Sequence, residues 1–77
     1  MNRYRIELPD GTTVEIRRSR TFTHAVMAKC LPPYNGRDGW FVSGLASDLG
    51  KAQKAAASMA GHCETEIVEV TPEPVAR

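Results

Sequence analysis

Apolar and polar residues alternate one for one at the start of the chain. In residues 3–8, Tyr4, Ile6 and Leu8 fall on one side, while Arg3, Arg5 and Glu7 fall on the other. This period of two is the pattern of a half-buried strand. Pro9, Asp10 and Gly11 interrupt it with the residue types that reverse a chain. Residues 12–18 then resume the alternation with Val14 and Ile16 inward, so the pattern predicts a hairpin.

Residues 21–30 carry the same alternation for ten positions, with Phe22, His24, Val26, Ala28 and Cys30 on one face. The opening Thr21-Phe22-Thr23 favours a strand, although the stretch from His24 onward also tolerates a helix. Residues 31–39 hold two prolines, an Asn-Gly step and an Asp-Gly step, which makes them a loop. Residues 40–44 return as a strand, expected antiparallel to the one before. Ser47 or Asp48 can then cap a helix whose apolar face comprises Leu45, Leu49, Ala52, Ala56 and Met59, with Gly61 as its terminator. Residues 64–70 form a last strand through Ile67, Val68 and Val70. The expected fold is α+β, in the order β-β-β-β-α-β, with one helix on one face of a mostly antiparallel sheet. The last strand can pair antiparallel with the first or lie parallel beside the fourth, and both arrangements stay open. Residues 1–71 read as one compact domain and 72–77 as a flexible tail broken by Pro72 and Pro74.

At 77 residues the chain has room for a single core and little room for a deep catalytic cleft. Its net charge of +1 hides an asymmetry. Residues 1–40 carry seven basic and four acidic side chains, a net of +3, while residues 41–77 carry three and five, a net of −2. No stretch approaches a membrane span, and Met1-Asn2-Arg3-Tyr4-Arg5 does not open like a secretory leader. With Cys30 and Cys63 far apart and outside any Cys-x-x-Cys pair, the expectation is a cytoplasmic protein with two reduced thiols.

His24, His62, Cys30 and Cys63 are the residue types of a Cys–His nucleophile or a zinc site. His24 and Cys30 lie too far apart along a strand to share one ion, and Cys63 follows a helix C-terminus, which raises a thiol pKa. Phosphate-binding and hydrolase motifs are missing. The chain therefore reads as a non-enzyme without metal or cofactor. Binding chemistry is better represented. The 31–39 loop carries Tyr34, Asn35 and Arg37, with Trp40 beside it, and Tyr and Arg are types that dominate protein interfaces. Arg17, Arg18 and Arg20 form a basic run able to contact nucleic-acid phosphates.

Thr21-Phe22-Thr23-His24-Ala25-Val26, the segment Gly39-Trp40-Phe41-Val42-Ser43 and the alanine-rich stretch from Ala52 to Ala56 resemble short proteins of phages and plasmids. That resemblance implies a small accessory protein, of a kind with anti-CRISPR inhibitors, which occludes a protein or a nucleic-acid channel in the host cytoplasm. The expected function is thus binding to a host protein through Tyr34, Asn35, Arg37 and Trp40. The alternatives are nucleic-acid binding through Arg17, Arg18 and Arg20, or a homodimer paired through exposed sheet edges.

Overall fold

The computed structural model describes residues 1–31 and 38–74. It contains six strands and one helix: β1 (Asn2–Glu7), β2 (Thr13–Arg18), β3 (His24–Cys30), β4 (Phe41–Ala46), α1 (Leu49–Met59), β5 (Cys63–Glu69) and β6 (Glu73–Pro74). This is the α+β fold and the element order expected, but the strands divide into two antiparallel sheets, β2-β1-β6 and β4-β3-β5.

The division follows from where the apolar faces point. Tyr4, Ile6 and Leu8 pack against Ala25 and Met27 of β3, with Val14, Ile16, Phe22, Trp40, Val42, Leu45, Val68 and Val70 around them. That core lies between the sheets. On the far side of the second sheet, Val26 and Ala46 meet Ala52 and Ala56 of α1, with Met59 and Ile67 at the margin. Strand β3 is therefore covered on both faces. Its run Ala25-Val26-Met27-Ala28 is buried throughout, as a central strand between two layers requires. A helix there would have left one of these cores without its wall, and the strand expectation holds.

The hairpin β1–β2 turns through Gly11 at φ 91°, and Asp10 Oδ1 accepts the backbone N–H of Thr12 at 2.9 Å. Asp48 caps α1, its Oδ1 accepting from the Lys51 N–H at 2.8 Å. The apolar face of α1 is narrower than the spacing predicts. Leu45 sits in β4 and turns into the inter-sheet core, while Leu49, in the first turn, is 48% exposed. Gly61 does not adopt the left-handed conformation expected of a terminator; the helix closes through Ala60, whose N–H donates to the Ala57 carbonyl.

The last long strand follows neither arrangement left open by the sequence. Strand β5 pairs antiparallel with β3, from His24 opposite Glu69 to Cys30 opposite Cys63. It runs parallel to β4 with β3 between them. A second departure lies in the expected tail, where Glu73–Pro74 pairs with Asn2 and Arg3 as β6. Residues 75–77 lie outside the described residues.

An ion pair holds β6 to β1: Arg3 Nη2 lies 2.8 Å from Glu73 Oε2. Its hydrogen bond, and then its charge, hold the Glu73 carboxyl below the usual carboxylate range. A carboxyl lowered by folding contributes stability above its ordinary pKa, and that contribution is lost as pH falls through the lowered folded value. We expect urea midpoints to decline on the acid side of the ordinary glutamate pKa, and the Glu73→Gln variant to decline less. Equal acid limbs in the two proteins would show that the pair does not couple folding to pH.

Candidate functional site

Three of the four residues expected to contact a protein partner, Tyr34, Asn35 and Arg37, lie outside the described residues. Trp40 is half-buried and packs against the inter-sheet core, so much of its ring serves the fold. The basic run is not gathered on one surface. Arg17 stands opposite Arg3 on the outer face of the first sheet and lies 3.6 Å from Glu15. That face carries Arg3, Arg5 and Arg17 beside Glu7, Glu15 and Glu73, so its charges balance. Arg18 follows Arg17 and by strand alternation takes the opposite side, with its Nη1 donating to the Arg17 carbonyl. Arg20 belongs to a different place, described below.

Cys30 and Cys63 are joined in a disulfide. The expectation of two reduced thiols is corrected, and the physical reason is the register of β5: pairing with β3 sets the two cysteines directly opposite each other. The bridge removes both sulfurs as free nucleophiles or thiolate ligands. His24 also has a structural tie. Thr23 Oγ1 donates its single proton to the Ser47 carbonyl at 3.0 Å, so the 2.8 Å contact with His24 requires Nδ1 to be the donor. The Thr23 hydroxyl thereby ties the start of β3 to the end of β4, with the His24 imidazole donating to it. Among the described residues no group of three or more His, Cys, Asp or Glu side chains is placed to hold a metal ion.

A concave feature among the described residues lies elsewhere, in a cleft of about 330 Å³. One wall is the segment Arg20, Thr21 and Phe22. The opposite wall is Lys51 and Ala55 of α1. Between them run Ser43, Gly44, Leu45 and Ala46 of β4, then Ser47, with Val26 behind. The cleft exists because β4 is an edge strand of its sheet, and α1 packs more closely over β3 and β5 than over β4.

Tyr4 holds the first wall. Fully buried beneath it, Tyr4 donates from Oη to the Arg20 carbonyl at 2.9 Å and accepts the Phe22 N–H at 2.7 Å. A segment without secondary structure is thereby pinned on either side of Thr21 by one rigid side chain. The Phe22 ring meets the Tyr4 ring edge-on, with centroids 6.0 Å apart.

The central strand of the cleft has two unusual positions. Val26 opposes Gly44 and Met27 opposes Val42, so Ser43 is an extra residue, and the ladder bulges there. The Ser43 hydroxyl turns to Met59 Sδ at 3.4 Å. Gly44 follows. Glycine weakens a strand interior unless backbone conformation or close packing requires it. Neither applies, since Gly44 has no positive φ and a Cβ built on it would meet nothing within 4 Å.

No family model, no curated protein and no solved structure matches this chain. Its function has to be read from geometry.

The cleft was legible in the sequence only in part. Gly44 inside a strand pattern is a recognised sign of a bulge, and Arg20 stood out within a basic run. Nothing local connects either of them with Lys51.

Proposed function

We propose that this chain is a small binding domain that holds a segment of a partner protein along the β4 side of the molecule. The observation that carries this reading is the cleft itself, an open furrow around an edge strand whose central residue is a glycine that the fold does not need. Edge strands bordered by grooves recognise extended polypeptide, because main-chain groups supply affinity and alternate side chains supply specificity. The chemistry on offer is polar and directional at the rim, through Arg20, Lys51 and the hydroxyls of Thr21, Ser43 and Ser47, and apolar at the floor. Such a set suits recognition, and it lacks the base–nucleophile geometry that covalent catalysis needs.

The bridge bears on compartment. The cytoplasmic expectation rested in part on Cys30 and Cys63 being reduced thiols. Disulfides persist in oxidising surroundings, so the pairing supports a protein that works in such an environment. No helix among the described residues is long and apolar enough to cross a membrane.

A branched side chain at Gly44 tests the proposal. The Gly44→Val variant is expected to fold with unchanged or higher Tm, since the added methyls meet open space and raise strand propensity. It should nevertheless lose partners that the wild type captures in a pull-down. Identical capture profiles from the two folded proteins would refute the β4 cleft as the binding surface.

A further inference from the structure

We infer that the segment held in this cleft is acidic and extended, with at least one carboxylate seated between Arg20 and Lys51. The inference rests on the binding reading above and adds the chemistry of the partner.

Arg20 and Lys51 both line the cleft, and its lining contains no acidic residue. Elsewhere on the surface this chain neutralises its arginines. Arg3 has Glu73 and Glu15, and Arg17 has Glu15. Among the described residues no carboxylate pairs with Arg20 or Lys51. Asp48, nearby in sequence, is occupied with its Oδ1 on the Lys51 backbone N–H. The Lys51 ammonium donates one hydrogen bond, to Ser47 Oγ at 3.1 Å, which leaves two of its three donors for a ligand. The Arg20 hydrogen bonds in this structure use its carbonyl, and that anchorage to Tyr4 Oη fixes the backbone from which the guanidinium projects. A planar guanidinium on one wall and a point charge on the other suit a carboxylate, which accepts bidentate bonds from the first and a single bond from the second.

The extended form follows from Gly44 and the bulge. The bulge at Ser43 interrupts regular pairing, so the usable edge is the short stretch from Gly44 to Ala46. A backbone can approach there as closely as the missing Cβ allows. A strand of alternating pattern would lay every second residue toward Val26, Ala46 and Ala55, on the α1 side of β4. The residues between would be turned toward the rim, where the two cations stand.

The test uses the full-length, disulfide-bonded, isotope-labelled protein and two short synthetic peptides, one alternating Val and Glu and one alternating Val and Lys. Amide shifts are followed by NMR. The Val/Glu peptide should perturb residues 20–22 and 43–47, with affinity falling as salt rises. The double variant Arg20→Ala/Lys51→Ala should weaken that binding by about tenfold or more while leaving Tm in place. If the Val/Lys peptide binds the same residues equally well, the acidic requirement is refuted and the cleft as a peptide site survives. If neither peptide perturbs β4, the proposed function falls with it. If the β4 amides shift with protein concentration alone, a second copy fills the cleft, and the inference of an acidic partner is overturned.

Discussion

Replacing Cys30 and Cys63 together by alanine is expected to cost about 3–4 kcal/mol of folding stability. The bridge spans a sequence separation of 33, and cross-linking a loop of that length removes a large part of the freedom of the unfolded chain. A chain of this size has only about 4–12 kcal/mol in all. The loss would lower Tm by on the order of 15–25 °C. Alanine suits the buried Cys30 site better than serine, which would bring a hydroxyl into a position only 5% exposed. Thermal unfolding followed by circular dichroism, for the variant and for wild type with and without reductant, measures the effect. Reduced wild type should fall toward the variant, and a reduced protein as stable as the oxidised one would contradict the assignment. The closed loop contains β4 and α1, two of the three sides of the cleft, so the reduced protein should also bind its partner less well.

The second large effect is at Tyr4. Tyr4→Phe keeps the ring and its edge-on contact with Phe22 but removes Oη, which serves the Arg20 carbonyl and the Phe22 N–H at once. Two hydrogen bonds go, and two part-buried backbone groups lose a partner that a phenyl ring cannot replace. The Phe22 N–H loses its partner while the Arg20 carbonyl keeps only the long bond from Asn2 Nδ2 at 3.5 Å, and the expected loss is about 1–3 kcal/mol. Hydrogen exchange gives the more specific readout. The Phe22 amide should lose protection well beyond the general loss of stability, while the β3–β5 ladder should follow stability alone. Uniform loss across the molecule would mean that Tyr4 acts only as core. Because the freed segment is one wall of the cleft, the variant should also bind the acidic peptide more weakly at temperatures where it remains folded.

Local pattern was enough for the hairpin, a helix cap at Ser47 or Asp48 and the strand character of residues 24–30. In each case the deciding physics is short-range: alternation sets a strand face, an Asp side chain reaches an N–H three residues on, and glycine accepts a turn at Gly11. The same alternation could not say that the buried faces of β1 and β3 turn toward each other as separate sheets. One apolar stripe is equally well buried by a helix or by another sheet, and the choice depends on the whole chain.

The cleft shows the same limit. The basic run from Arg17 to Arg20 is contiguous in sequence, yet a strand sends neighbours to opposite faces. Arg17 therefore joins a charge-balanced surface, while Arg20, beyond the strand end, joins Lys51 across more than thirty positions of chain. Trp40 carried the residue type of an interface anchor, but the space between the sheets takes part of its ring. The sequence by itself determined the first hairpin, the longer strands and the helix, because those depend on neighbours within a few residues; it did not determine β6. Only the tertiary structure decided that β5 lies against β3, and with it the Cys30–Cys63 bridge and the opposed walls of the cleft. Pairing between distant segments is selected by the burial of every face at once, and no local window contains that information.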